Sequence, residues 1–337
     1  MTAHLASLAV LAGLWLMLAL ATALAASLLV RPLERALRTG DPERRARLAW
    51  LVATAPVTLP SSLVLVCALP GLVGALLGVG DHCTAHGDHP HFCLIHATVA
   101  MSPVVGATLA LFAAIVLRAL RCGAAGIRSG LRETRWLARR RIRALAPGVH
   151  LIDAPEPLAL THGLGSPEIW ISQGLHAALD EKERAVVLAH ERAHARRRDS
   201  ARQLIARVAA TLHRSALRDM LLRELRLATE QICDASAARE VGDPLRVAHT
   251  LLRVERLMRG SRPPALHGAA ALVDTSLPAR VEALLALPEP PHRARRRVPA
   301  GWLLLATALL LASPLHHLAE HVLETVVRSM VGVGRLF

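Results

Sequence analysis

The chain has 337 residues, 53% of them hydrophobic and 20% charged, and its apolar residues stand in blocks instead of periodic stripes. That arrangement excludes an ordinary soluble domain for the whole chain and makes lipid the solvent for part of it. The net charge of +14 is almost wholly arginine, Lys182 being the sole lysine, yet with no Tyr and three Phe the aromatic platforms of single-strand nucleic-acid binders are missing. The arginines flank the apolar blocks, where anionic lipid headgroups account for them, so the bilayer is an expected partner and nucleic acid is not.

A bilayer core takes about 20 apolar residues in helical form. Residues 5–30 supply such a run without a charge. The run is too long for a signal-peptide core and its charge, Arg31, follows it, so it reads as a retained anchor. Residues 48–79 form a second run, in which Pro56, Pro60 and Pro70 predict a kink or a break. Residues 93–117 form a third and residues 298–318 a fourth. The segment between the first two carries Arg31, Arg35, Arg38, Arg44, Arg45 and Arg47, whereas residues 80–92 carry no Lys or Arg. Arginines return from Arg118 to Arg143, and again at Arg293, Arg295, Arg296 and Arg297 before the fourth run. The positive-inside rule then gives a multi-pass cell-membrane protein with its N-terminus outside. Residues 1–121 hold three spans, 122–297 a cytoplasmic domain, and 298–337 a fourth span with a short outer tail. In the outer loop, Cys83 and Cys93 are placed for a disulfide. The same loop holds His82, His86, His89 and His91, which suit zinc or copper, and both readings stay open.

Within the polar domain, residues 127–146 read as a basic amphipathic helix on the membrane surface. Residues 149–153, 158–161 and 168–172 are short apolar runs separated by Pro and Gly, which predict a small sheet. Residues 173–286 follow a helical pattern. Glu168–Ser172 alternates at period two, as either an edge strand able to pair with an extended substrate or an interior strand.

The stretch Val187-Leu-Ala-His190-Glu191-Arg-Ala-His194 contains H-E-x-x-H. Spacing by four places His190 and His194 on one helix face, one turn apart, where both imidazoles reach a single metal. Glu191 stands beside them, free to act as general base on a water that zinc acidifies. Asp180 and Glu183 have the spacing of a capping box, which predicts the start of this helix. A catalytic zinc takes three protein ligands, and Glu230, in Glu230-Gln-Ile-Cys-Asp234, offers the third from a second helix. Asp234 lies one turn further on the same face, placed to hold a histidine ring N–H. An oxyanion stabiliser is expected, with His249 and His213 as candidates.

Three segments together resemble the membrane metallopeptidases of the beta-lactam sensor-transducer (BlaR/MecR) family, whose HtpX-like and CaaX-processing relatives share the zinc motifs. They are Leu188-Ala-His-Glu-Arg-Ala-His-Ala-Arg-Arg-Arg-Asp199, Glu230-x-x-Cys-Asp234 and Ser166-Pro-Glu-Ile-Trp-Ile-Ser-Gln-Gly-Leu175. The resemblance implies a mainly α protein: four transmembrane helices plus a cytoplasmic α+β zincin-like peptidase domain with a small antiparallel sheet. It implies one zinc per chain on His190, His194 and Glu230, Glu191 as catalytic base, and a structural role for Asp199. Those sensors carry a penicillin-binding domain after the last span, where this chain has about 20 residues, so beta-lactam sensing is not expected. The expected function is a membrane-anchored zinc metalloendopeptidase acting on a protein or peptide, with a transcriptional repressor and membrane proteins both open as substrates. The alternative is a non-catalytic membrane sensor that retains the fold.

Overall fold

The computed structural model of the protein describes residues 2–77, 103–259 and 277–287. Among them, three helices are long and apolar enough to cross a membrane: α1 (Thr2–Leu28), α3 (Pro42–Leu77) and α4 (Pro103–Arg139). A short α2 (Val30–Thr39) joins the first two. The expected fourth span and the loop with Cys83 and Cys93 lie outside the described residues.

α3 stays continuous through Pro56, Pro60 and Pro70, so of the expected kink or break the break does not occur. Each proline removes one backbone donor, and the rest of the ladder persists around it. α4 likewise runs past Leu117 to Arg139, so the expected separate surface helix is its C-terminal part. Beyond it, Arg141-Ile-Arg143-Ala alternates at period two and forms strand β1 (Arg141–Ala146), not helix.

Of the described residues, 2–23, 55–77 and 103–117 form one compact unit, and 24–54, 118–259 and 277–287 a second. In the first, Trp15 stands edge-on to Phe112 with ring centroids 5.5 Å apart, and its Nε1–H donates to Ser61 Oγ at 3.0 Å. Leu20, Leu59, Leu65 and Leu111 point outward, as side chains solvated by lipid do.

The second unit contains β2 (Val149–Ile152), β3 (Ala159–His162) and β4 (Glu168–Ser172) beside β1, in the order β1-β2-β4-β3. β1 and β2 form an antiparallel hairpin that turns at Gly148, φ 71°. The chain next crosses to the far edge for β3. It reverses through a tight loop at Gly163 (φ 125°), where an added Cβ would meet Ser166 O at 2.8 Å, and β4 returns between β2 and β3. β4 is therefore antiparallel to β3 and parallel to β2, and the sheet is mixed where an antiparallel one was expected. Filling an interior slot buries Ile169, Trp170, Ile171 and Ser172. The edge strand beside it is β3.

Helices α5 (Gln173–Ala178), α6 (Glu181–Arg197), α7 (Asp199–Ala209), α8 (Ser215–Val241), α9 (Pro244–Arg259) and α10 (Leu277–Leu285) complete the unit. One sheet face, with Ala159, Ile169 and Ile171, packs with Leu175, Leu179 and Val254. The other, with Ile152, Leu160 and Trp170, packs on Leu137 of α4. Leu217, Leu221, Leu225, Ala228 and Ile232 make one stripe of α8, and it lies on Leu37 and the small Ala46, Ala49 and Ala53 of α2 and α3. Each buried leucine contributes roughly 1.5–3 kcal/mol. Arg45 reinforces this contact, pairing with Glu224 and donating Nη1–H to Gln231 Oε1 at 2.9 Å.

Candidate metal centre

α6 begins where the sequence places it. Asp180 Oδ1 accepts from Glu183 N at 2.8 Å and Glu183 Oε2 from Asp180 N at 2.9 Å, which closes the capping box. Its other end is set by Arg198, whose φ of 53° is rare for a residue with a Cβ. That left-handed step turns the chain into α7 and brings Asp199 back beside the helix it has just left. α8 crosses α6 and presents Glu230 and Asp234, four apart, to the same spot.

There the ligating atoms of His190, His194 and Glu230 come within 4.8 Å of one another. The two Nε2 atoms stand 3.1 Å apart. Glu230 places Oε2 at 3.5 Å from His190 Nε2 and Oε1 at 3.6 Å from His194 Nε2. Each ring is held from behind: His190 Nδ1 meets Asp234 Oδ1 at 2.9 Å, and His194 Nδ1 meets Asp199 Oδ2 at 3.0 Å. A carboxylate on Nδ1 keeps the proton there and leaves the Nε2 lone pair free. With both Nε2 atoms deprotonated, two lone pairs facing each other beside a carboxylate repel unless a cation, a proton or a metal ion, lies among them. Two imidazoles and one carboxylate are the donor set a catalytic zinc takes, so the residues present fit that ion.

The electrostatics agree. Burial alone would lower the His190 pKa, but hydrogen bonds to Asp234 and Glu230 outweigh it and push it up to about 10. His194 is also raised, burial opposing and the Glu230 charge and the Asp199 bond winning. Burial would raise Glu230 and Asp234, yet Arg280 holds both below the usual carboxylate range. The pocket thus binds positive charge tightly, and protons and a divalent cation compete for it.

Arg280, on α10, has no counterpart among the expected site residues. It is buried, donates Nε–H and Nη2–H to Asp234 at 2.7 and 2.8 Å, and lies 3.4 Å from Glu230 Oε2. Thr161 of β3 was equally unforeseen: its hydroxyl stands 2.7 Å from Glu191 Oε2 and 2.8 Å from Glu191 O. Cys233 packs its thiol against the same side, 3.4 Å from His194 Nδ1, and burial pushes its pKa well up. Beside His190 and Glu191 an apolar recess is lined by Ala159, Val186, Val187, Val247, Leu251 and Val254.

The two candidate oxyanion stabilisers are not brought here. His249 is exposed on α9 and does not line the recess, while its neighbours Val247 and Thr250 do. His213 is buried elsewhere, its Nε2–H donated to Val52 O at 2.9 Å. One residue's offset decides such cases on a helix, where successive side chains point about 100° apart.

Residues 132–256 match the family model of peptidase family M48. The matching segment runs from the last turns of α4 into α9 and includes His190, Glu191, His194, Glu230 and Asp234. The chain therefore carries a metallopeptidase domain. Arg45 and Arg280 lie outside the match. No curated protein and no solved structure matches the chain. The match takes the reading as far as a metallopeptidase, and the narrower likeness to the sensor-transducers rests on the sequence motifs.

Proposed function

We propose that the protein is a membrane-anchored zinc endopeptidase whose site lies on the side of its arginine-rich segments. The observation that carries this reading is the convergence of His190 Nε2, His194 Nε2 and Glu230, each ring backed by a carboxylate. When bound there, zinc would acidify a water and polarise the peptide carbonyl. Glu191 accepts the proton of the attacking water and delivers it to the leaving amine. Its carboxylate is buried and aimed by Thr161, so it is held for that transfer before substrate arrives. Edge strand β3 supports binding of an extended substrate through backbone hydrogen bonds, the part the sequence had offered to β4. The neighbouring recess suits an apolar side chain. A cytoplasmic repressor and a membrane protein remain the two substrate classes.

Glu191→Gln is the test, in the full chain purified in detergent and given a labelled unfolded protein. Cleavage should fall by about 10²-fold or more, with zinc still bound. Undiminished cleavage by this variant would remove the proposed mechanism.

A further inference from the structure

β3 is four residues long, and two consecutive side chains on it point to opposite faces of the sheet. Thr161 faces α6, with its hydroxyl on the carboxylate and carbonyl of Glu191. His162 faces α4. Its Nε2–H is shared between the carbonyl of Gly130 at 3.0 Å and Thr134 Oγ1 at 2.9 Å, and its Nδ1 stands 3.5 Å from Glu133 Oε2. The Thr134 hydroxyl donates in turn to Gly130 O at 2.9 Å. Glu133 is itself buried, and Ser129 Oγ donates to its Oε1 at 3.3 Å. A free strand end with one neighbouring strand would fray. Here its final residue is pinned by two groups of a long helix, Gly130 O and Thr134 Oγ1, at the point where its penultimate residue holds the glutamate.

The geometry points to a pair of positioning residues: Thr161 orients the Glu191 carboxylate, and His162 sets Thr161 by fixing β3 to α4. The inference rests on the peptidase reading for its catalytic meaning, but the contacts stand without it. A Thr hydroxyl carries one proton, and the carboxylate is the stronger acceptor of the two oxygens it meets. That bond selects one Glu191 rotamer and leaves its other carboxylate oxygen free of Thr161. α4 is one continuous helix from Pro103 to Arg139. A shift of its C-terminal part relative to the sheet therefore passes through His162 into the rotamer of Glu191, without any change at the histidines or Glu230.

The experiment uses the full chain in detergent with four variants, Thr161→Val, Thr161→Ser, His162→Phe and Glu191→Gln, and two readouts. In cleavage of a labelled unfolded protein, Thr161→Val should lose about 10–100-fold in kcat, the range of groups that orient catalytic residues. KM and zinc content should stay at wild-type values, and Thr161→Ser should restore most of kcat. His162→Phe should lower kcat in the same way although Thr161 is intact. The second readout needs no activity: melting temperatures of the metal-free wild type, Thr161→Val, Glu191→Gln and the double variant should be non-additive. Wild-type kcat in Thr161→Val, or no rescue by Ser, would overturn the positioning role, and so would additive melting shifts. His162→Phe with wild-type kcat would overturn the link to α4. If wild type and Glu191→Gln cleave alike, the peptidase reading has failed, and the melting cycle still decides whether Thr161 orients Glu191.

Discussion

His213 donates its Nε2–H to the carbonyl of Val52, the carbonyl that Pro56, four residues on, leaves without a helical donor. This side chain repairs the gap a proline makes in α3. An unpaired buried carbonyl costs about 1–3 kcal/mol, so His213→Leu should destabilise the chain by that amount, and His213→Gln, which keeps a donor, by less. Burial lowers the His213 pKa below 6.5, the Val52 bond opposing it. The unfolded chain then binds the proton more readily, so the contribution is complete above pH 6.5 and fades as pH falls below it. Unfolding curves of wild type and His213→Gln at a series of pH values should differ in slope below 6.5, and parallel curves would refute the assignment.

Arg280 closes on Asp234 with two hydrogen bonds inside the protein. Replacing it with Met leaves a buried carboxylate without its cation, a change that costs about 3–5 kcal/mol. Arg280→Met should unfold at markedly lower denaturant, and adding Asp234→Asn should recover part of the loss. Equal unfolding midpoints for wild type and Arg280→Met would show that the pair contributes little.

Zinc should bind one per chain, detected by elemental analysis, and the ratio should fall in His190→Ala and Glu230→Ala. At a free zinc concentration about 1,000 times Kd, binding adds about 4 kcal/mol to stability. Chelation should therefore lower the melting temperature of wild type, with no further effect on His190→Ala. Because His190 in the metal-free protein holds its proton up to about pH 10, zinc uptake should release protons at pH 7. Calorimetry in buffers of different ionisation enthalpy would register that release.

At Gly174 an added Cβ would lie 1.9 Å from the carbonyl oxygen of Pro155. The backbone there cannot yield easily, since Gly174 N donates to Ala154 O at 3.0 Å and Ser172 Oγ accepts from Leu158 N at 2.9 Å. Gly174→Ala should cost at least about 1–3 kcal/mol, the usual range for overpacking, as a lowered melting temperature. A change of under half a degree would mean that the loop at Pro155 moves freely.

The local signals of the sequence carried furthest. The Asp180–Glu183 spacing marks the start of α6, and the four-residue steps from His190 to His194 and from Glu230 to Asp234 put each pair on one face. Both depend on helix periodicity alone. Sheet order was not legible, because the parallel pairing of β2 with β4 joins strands separated by β3 and nothing local encodes it. Residues 141–146 do not stand out as a strand, because four arginines in the five positions 139–143 hide the alternation of Arg141, Ile142, Arg143 and Ala144. Thr161 looks like any strand threonine. Arg280 is 46 residues from Asp234, and only its position within an apolar helix hints that it is buried.

The stripe of α8 that packs on Leu37, Ala46, Ala49 and Ala53 sets the smallest portion of this chain fit for separate expression. A soluble fragment begun at residue 132, where the family match begins, discards those four partners. It would leave Leu217, Leu221 and Leu225 facing water and Gln231 without Arg45. The peptidase domain is therefore a mosaic in sequence, with residues 24–54 belonging to it as fully as residues 118–259 and 277–287. Secretion or truncation schemes that treat those early helices as mere anchor would yield aggregates.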